Sequence, residues 1–223
     1  MRVPLFIEVK DRNVLIIGGG STGTKRARKF SLAGANVVVL SKEFTNELIQ
    51  LSRDLGVVLI QVDLSVPDSL PVLETWIRWS DMVVYTIPDN MLASIVRLLC
   101  KRHRKFLNDA TSAEHTEVVV PFEAKILDSV RVAVTTEGRS STLSRILVRK
   151  IESMLSTDLE LKNLANALFT MKRILKENVK DYKTRMRLYE ELSNDSKFIE
   201  LAVKGNIDEV TRYVMSKISK HSC

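Results

Sequence analysis

Short apolar runs alternate with segments of helical spacing over the first half of the chain. Residues 14–17 are all apolar and predict a strand that is buried on both faces. Four further apolar runs predict strands at residues 37–40, 57–62, 82–86 and 105–108. Helical segments lie between or beside these runs, at residues 25–33, 45–55, 73–78 and 91–102. Regular alternation of this kind predicts an α/β fold with a doubly wound parallel sheet.

The pattern differs on both sides of this alternating region. Residues 5–9 predict a short additional strand before it. After it, residues 118–122 and 130–135 predict two strands whose link is too short for a crossover helix, so we expect them to be antiparallel. Residues 142–155 predict an amphipathic helix whose apolar side chains share one face: Leu143, Ile146, Leu147, Ile151 and Met154.

The last third of the chain predicts helices and contains no convincing strand. Residues 159–178 predict one helix, and cap residues at 193–196 predict a break. Gly205 fits a helix stop, and Asn206 with Glu209 forms a plausible capping box for a last helix. The Met and Leu residues of this tail are expected in its core. The predicted division is a domain at 1–111, a small α+β region at 112–155 and a helical domain at 156–223.

A glycine-rich loop joins the first buried strand to its helix. Gly18, Gly20 and Gly23 match the GxGxxG pattern in the strand–turn–helix setting where that pattern binds dinucleotides. The first glycine permits the turn, the second lets the backbone approach a pyrophosphate, and the third lets helix and strand pack closely. We therefore predict a Rossmann domain in which the whole loop binds NAD or NADP: Gly18, Gly19, Gly20, Ser21, Thr22 and Gly23.

The end of the second strand leaves the choice of nicotinamide cofactor open. Ser41 stands where NAD enzymes commonly place the acidic residue that binds the ribose hydroxyls. Glu43 could substitute for that carboxylate, whereas Lys42 could favour the additional phosphate of NADP. Both charges could equally be solvated loop residues.

Composition narrows the class of protein. A net charge of +7 suits a polyanionic partner, whether nucleic acid, acidic lipid or a small molecule with many carboxylates, and could also serve solubility alone. Cys100 and Cys223 are far apart and are expected to be free thiols. The N-terminus does not resemble a secretion signal, and no apolar stretch approaches the roughly 20 residues that span a bilayer. We expect a cytoplasmic protein without a membrane partner.

Three stretches together resemble the precorrin-2 dehydrogenase family, which includes the N-terminal part of the multifunctional sirohaem synthases. Residues 4–20, PLFIEVKDRNVLIIGGG, are similar to the opening of that family, and Lys25 and Arg26 fall where it carries a basic pair. Residues 86–90, TIPDN, resemble its loop after the fourth strand. Residues 136–152, TEGRSSTLSRILVRKIE, resemble its "STSGxSPxxSRxLRxxIE" stretch.

The resemblance implies an activity and an assembly. Members of the family oxidise precorrin-2 to sirohydrochlorin with NAD as hydride acceptor, and some also insert ferrous iron. The implied architecture is a Rossmann domain, a dimerisation region around residues 112–150 that makes a homodimer, and a helical C-terminal domain. The substrate would be a tetrapyrrole macrocycle with many carboxylates, which gives arginine and lysine residues in the cleft a role in holding it.

The resemblance also points to an acid/base residue, but this chain departs from the pattern there. The family's Asp position corresponds to Thr111, and the nearest carboxylate is Asp109. Asp109 could have taken over the role, another group could serve, or the carboxylate could be dispensable; Asp109 could also simply form an Asx turn or a helix cap. His115 is a second candidate, and with Asp109 it could transfer protons or deliver iron. A loop histidine could equally be merely exposed.

Two further groups of residues are candidates for binding. Thr86, Pro88 and Asp89 follow the fourth strand and should face the cofactor, since ligands of open α/β sheets bind at the carboxyl ends of the strands. Ser140, Ser141 and Arg145 could contact substrate carboxylates at a helix start, or could be a helix cap and a solvated arginine.

Two other classes of function compete with the enzyme. One is a nucleotide-sensing Rossmann module that regulates a partner protein and binds the cofactor without turnover. The acidic residue that would normally close the second strand of such a module is absent. The other is nucleic-acid binding by the basic tail, for which the sequence offers no recognisable helix-turn-helix or aromatic platform. The sequence therefore favours the dehydrogenase.

Overall fold

The computed structural model describes residues 2–127 and 130–221, and Cys223 lies outside the described residues. The chain forms two compact units, one of Met1–Pro121 with Thr135–Ser141 and the other of Phe122–Val134 with Thr142–Cys223. The three-part division of the chain inferred from the sequence stays a prediction. No helix within the described residues is long and apolar enough to cross a membrane.

A five-stranded parallel sheet organises the first unit, with strand order β3-β2-β1-β4-β5. In the central register, Ile17 of β1 lies opposite Leu40 of β2 and Tyr85 of β4. The doubly wound sheet predicted from the apolar runs is confirmed. Its strands are β1 (Asn13–Ile17), β2 (Asn36–Ser41), β3 (Val58–Gln61), β4 (Met82–Tyr85) and β5 (Phe106–Asp109).

Helices cover both faces of this sheet, as the predicted alternation requires. Leu15 and Ile17 pack in a core with side chains from the third and fourth helices, while Val14 and Ile16 pack with the first and second. Burial on both faces explains why the central strands are apolar throughout. The helices are α1 (Ser21–Leu32), α2 (Asn46–Leu55), α3 (Leu70–Trp79), preceded by a 3-10 turn at Pro67–Ser69, and α4 (Asn90–Arg102).

The strand predicted at residues 5–9 does not form. This segment has no regular structure, and its apolar side chains are exposed, with 75% of Leu5 and 73% of Phe6 accessible to solvent. The prediction was wrong because strand propensity alone does not make a strand, and residues 5–9 pair with none of the five strands of the sheet.

An antiparallel hairpin opens the second unit, as predicted, but its first strand lies later in the chain. The strands are β6 (Phe122–Leu127) and β7 (Val130–Val134). Residues 118–120, predicted as part of that strand, are not in one. Instead the N–H groups of Glu117 and Val118 both donate to the carbonyl of Leu107, and Val118 and Val120 pack on the apolar cluster of the first unit.

A long helix, α5 (Ser141–Ser156), follows the hairpin and confirms the helix predicted there. The buried face differs from the predicted one. Val148 is buried, and Ile151 and Leu155 pack with it against the hairpin. The other residues of the predicted face are exposed on the single chain: Leu143, Ile146, Leu147 and Met154.

The tail is helical, and within its described part no strand occurs after residue 156. Gly205 has a φ of +79° and ends one helix, and Asn206 Oδ1 accepts from the N–H of Glu209 at 3.3 Å at the start of the next. Met171 and Phe198 are fully buried in the core of these helices, which confirms the expected role of the apolar tail residues. The helices are α6 (Leu159–Asn178), α7 (Tyr182–Ser193), α8 (Ser196–Val203) and α9 (Ile207–His221).

Candidate functional site

The first and third glycines of the loop after β1 are required by packing. Gly18 has a φ of +112°, a conformation that residues with a Cβ rarely adopt, and its N–H donates to the Leu40 carbonyl at 2.8 Å. A side chain at Gly18 would also overlap Thr86 Oγ1. A side chain at Gly23 would overlap the carbonyl oxygen of Gly18, so α1 can start directly against β1 only when position 23 is glycine.

The second glycine of the pattern is different, because nothing in the protein fills the space beside it. A Cβ built on Gly20 would meet no atom within 4 Å. Gly20 is the N-cap of α1, has no side chain to bond the first N–H groups, and no acidic residue lies in the first turn. Ser21 and Thr22 in that turn are exposed. Open space beside the positive end of a helix fits a dinucleotide pyrophosphate.

The end of β2 carries an ion pair that the sequence did not reveal. Lys42 Nζ lies 2.9 Å from Asp63 Oδ2, and this contact raises the pKa of Lys42. Hydrogen bonds from Ser65 and Lys42 lower the pKa of Asp63. Ser41 is buried and Glu43 is exposed. Lys42 thus already has an acidic partner. A cofactor phosphate would have to compete with Asp63 for the Lys42 ammonium group.

The loop after β4 borders the glycine loop. Thr86 Oγ1 donates to the Ile17 carbonyl at 2.9 Å, so its hydroxyl ties the β4 loop to the end of β1. Asp89 caps α4 by accepting from the Leu92 N–H at 2.9 Å. The buried Tyr85 hydroxyl donates to the Asp89 carbonyl at 2.8 Å, and burial raises the pKa of Tyr85 to about 12. The structure therefore brings predicted residues of this loop to the same sheet edge as Gly18.

A polar cavity of about 600 Å³ opens beside the ends of β4 and β5. It lies where ligands of open α/β sheets bind, outside the carboxyl ends of the strands. Of the residues predicted to be functional, Pro88 and His115 line it. The full lining is Pro88, Asn90, Ser94, Arg97, Thr111, Ser112 and His115.

Asp109 lies at the end of β5 and contacts two residues of the cavity lining, Arg97 and Thr111. Its side chain is 1% exposed, and Oδ2 lies 3.2 Å from Arg97 Nη1. Oδ1 accepts from the N–H of Thr111 at 2.9 Å and from its hydroxyl at 2.6 Å. This is the Asx turn that the sequence left open as an alternative for Asp109, with an ion pair to the partly exposed Arg97 added to it.

His115 is placed quite differently from Asp109. It is exposed, it faces the cavity, and its ring has no hydrogen-bond partner among the described residues. Thr111, at the position where the resemblance implies an aspartate, also lines the cavity. The two residues predicted as an acid/base pair thus belong to one region, with Asp109 buried and His115 accessible.

The predicted substrate-binding residues are divided between the two units. Ser140 belongs to the segment Thr135–Ser141 of the first unit, where its N–H donates to Thr136 Oγ1 at 2.9 Å. The same segment touches the loop after β5, because a side chain at Gly138 would overlap Ala113. Ser141 and Arg145 are both exposed, and Arg145 lies on α5 in the second unit. Their roles stay predictions.

Arg97 is the residue of the site that sequence reasoning missed. It lies on α4, and its Nη2 donates to Ser94 Oγ at 3.0 Å. A signal was present, since Asn90, Ser94 and Arg97 have the spacing that puts polar residues on one helix face. That polar face begins directly after the β4 loop, at the edge of the sheet where ligands bind.

Comparison with known proteins finds a matching family model and similar named proteins. A family model described as "Putative NAD(P)-binding" matches residues 5–122. A protein of Methanocaldococcus jannaschii named "Putative precorrin-2 dehydrogenase" is 28% identical over 200 residues, which cover 89% of this chain and 93% of that protein. "Siroheme synthase 1" of Klebsiella pneumoniae is 27% identical over 220 residues, covering 98% of this chain and 44% of the synthase.

The fold itself has a solved counterpart. The structure of "SirC, precorrin-2 dehydrogenase" superposes with a TM-score of 0.70 and covers 98% of this chain and 100% of that one, at 16% identity. This similarity supports the sheet and the helical tail described above. The chain thus spans almost the whole length of one named dehydrogenase and less than half of the bacterial synthase.

Proposed function

The chain belongs to the family described as "Putative NAD(P)-binding", and we propose that it is an enzyme that oxidises precorrin-2 to sirohydrochlorin with NAD as the hydride acceptor. The observation that carries the proposal is the open helix end at Gly20 on the same sheet edge as a cavity lined by Arg97 and His115. The names of the relatives supply the substrate. A cytoplasmic location is part of the proposal, because NAD is available there.

The protein's first task is to hold the cofactor. The N–H groups in the first turn of α1 and the open space at Gly20 would receive the pyrophosphate. The end of β2, with Ser41 and the Lys42–Asp63 pair, would face the adenosine ribose. When bound, NAD supplies a carbon that accepts hydride.

The second task is to position the substrate and remove a proton. Conversion of precorrin-2 to sirohydrochlorin removes two electrons and two hydrogens, one leaving as hydride to NAD and the other as a proton. We assign acceptance of that proton to a ring nitrogen of His115, because it faces the cavity and has no partner among the described residues. Both Asp109 oxygens, by contrast, are already occupied.

We also propose that two copies of the chain associate through α5. The exposed residues Leu143, Ile146 and Leu147 lie at i, i+3 and i+4 and form an apolar stripe on one face of this helix. Stripes of this kind on a single chain mark interaction sites. Ile146→Glu should convert a dimer to a monomer in light scattering, while Met186→Glu, which changes an exposed residue of α7, should not. A wild-type protein that is monomeric would contradict this assignment.

The enzyme function is tested by anaerobic incubation of the purified protein with precorrin-2 and NAD. The proposal predicts that NADH and sirohydrochlorin appear together and in equal amounts. Binding of NAD without any oxidation of precorrin-2 would contradict it and would leave the nucleotide-sensing module as the better account.

A further inference from the structure

We propose that Arg97 binds a carboxylate of the substrate and that Asp109 is the positioning residue that holds Arg97, with no part in proton transfer. The inference rests on the proposed function, since it names how the same cavity recognises its substrate. It assigns Arg97 a role in binding and replaces the acid/base role that the sequence suggested for Asp109.

The surroundings of Asp109 favour a structural task. One oxygen accepts two hydrogen bonds from Thr111, and the other faces Arg97. The side chain is 1% exposed and does not line the cavity. A general base has to come within hydrogen-bond reach of the proton that it takes, and these contacts would first have to break.

Arg97 has donors to spare on the cavity side. A guanidinium has five N–H groups in a rigid plane. The structure uses one Nη1 donor for Asp109 and one Nη2 donor for Ser94, and shows no other partner for Arg97 among the described residues. The side chain is 27% exposed and lines the cavity. It can therefore present further N–H groups to a planar anion such as a carboxylate.

The cavity lining suits an anion. Besides Arg97 and His115 it consists of Pro88, Asn90, Ser94, Thr111 and Ser112, so the lining includes no carboxylate. Asn90 and Ser94 add polar groups on the same helix face as Arg97. Precorrin-2 carries carboxylates around its rim, and one of them would bind Arg97 while the ring lies on the His115 side of the same cavity.

The Arg97–Asp109 ion pair is better explained by this task than by stability. Burying the Asp109 carboxylate is costly, and a buried charge with its partner is often no more stabilising than apolar residues of the same volume. Asp109 fixes one edge of the Arg97 guanidinium and leaves the other edge available to the ligand. Because the side chain is already held in place, less side-chain entropy is lost when the ligand binds.

The primary test is Arg97→Gln, compared with Arg102→Gln as a matched control. Arg102 lies on the same helix and also faces a carboxylate, that of Glu74 at 3.6 Å, but does not line the cavity. We expect Arg97→Gln to raise the KM for precorrin-2 by about 10- to 100-fold, since it removes a charged hydrogen bond. We expect kcat to change by less than about threefold and the Kd for NAD to be unchanged. Arg97→Lys should restore only part of the loss, because lysine lacks the planar fork.

Asp109→Asn separates positioning from catalysis. A positioning role predicts a raised KM with kcat largely kept, whereas an acid/base role predicts a kcat lower by about 100-fold or more with little change in KM. The second pattern, or an unchanged KM in Arg97→Gln, would overturn the inference. Circular dichroism of each variant checks that the fold is kept. If Asp109→Asn does not fold, the KM of Arg97→Gln alone decides the inference.

Direct binding of sirohydrochlorin, followed by its own fluorescence, distinguishes failure of this inference from failure of the proposed function. If the wild type does not reduce NAD, weaker binding of sirohydrochlorin by Arg97→Gln than by Arg102→Gln still supports a carboxylate site at Arg97. Equal binding by the two variants would contradict that site even in an active dehydrogenase.

Discussion

The carbonyl oxygen of Gly18 occupies the space that a side chain at position 23 would need. This close approach joins the end of β1 to the first turn of α1 and fixes where the helix N–H groups point. The three glycines of the loop thus have separate causes: backbone conformation at Gly18, open space at Gly20 and helix–strand contact at Gly23.

Gly23→Ala should destabilise the first unit. The added methyl group meets backbone atoms of Gly18, which cannot move aside without displacing β1 or α1, so we expect a loss of about 1–3 kcal/mol. Urea unfolding measures it, with Gly56→Ala as the comparison, because a Cβ at Gly56 meets no atom and only its φ of +69° opposes the change. A Gly23→Ala protein as stable as the wild type would show that the helix start is not packed as described.

His115→Gln should lower kcat for precorrin-2 oxidation by about 100-fold, since the variant has no group to accept the proton. The Kd for NAD should not change. His103→Gln is the matched control, because His103 bonds Glu74 at 2.7 Å and does not line the cavity. Equal kcat values for the two variants would remove His115 from the proton path.

The Lys42–Asp63 pair should control the preference between the two nicotinamide cofactors. Asp63→Asn frees Lys42 from its partner, and the freed ammonium can approach a phosphate at the ribose, so binding of NADP relative to NAD should rise by about three- to tenfold. Adding Lys42→Gln should abolish the gain. Asp54→Asn, at an exposed position on α2, is the control for net charge in the same titrations. If it raises NADP binding relative to NAD as much as Asp63→Asn does, release of Lys42 is not the cause.

Asp195 should make the stability of the helical tail depend on pH. Its side chain caps α8 and accepts from Lys217 Nζ and the Tyr213 hydroxyl, each at 2.8 Å, and these contacts lower its pKa. Because the folded pKa is below the unfolded value, the stabilisation is present above the unfolded pKa and is lost as pH falls toward the folded one.

Asp195→Asn should therefore cost about 1–3 kcal/mol at neutral pH, and the difference from wild type should shrink as the pH falls below about 4. Urea unfolding followed by circular dichroism at several pH values measures this. Asp158→Asn is the comparison: asparagine keeps an oxygen that can cap α6, and the lost carboxylate accepts only from the Leu161 N–H among the described residues, so this change should cost less. A loss that is the same at every pH would mean that the Asp195 charge contributes nothing.

The parts of the fold that were predictable are those whose signal is local. The apolar strands, the glycine loop and the cap at Asn206 each depend on neighbouring residues in sequence. Residues 5–9 and 118–120 have strand composition too, but a strand forms only where it pairs with another segment of the fold, which composition does not report.

The candidate site was likewise predictable only where its signal is local in the sequence. Gly20 and His115 were predicted from a motif and from residue type, and the structure places them at the start of α1 and in the cavity lining. Arg97 and Asp109 are brought together only when α4 packs beside β5, so neither the ion pair nor the occupied state of Asp109 could be read from the sequence. Lys42 and Asp63 meet in the same way, at the ends of two neighbouring strands.

Equilibrium titration of the full chain with NAD, beside Gly20→Ala, tests the central claim most directly. The account predicts one NAD bound per chain by the wild type and binding weakened at least about tenfold in the variant, whose added methyl group occupies the open space at the helix end without touching the protein. Correctly folded wild-type protein that binds no NAD at millimolar concentration, or a Gly20→Ala variant that binds it equally well, would contradict the account.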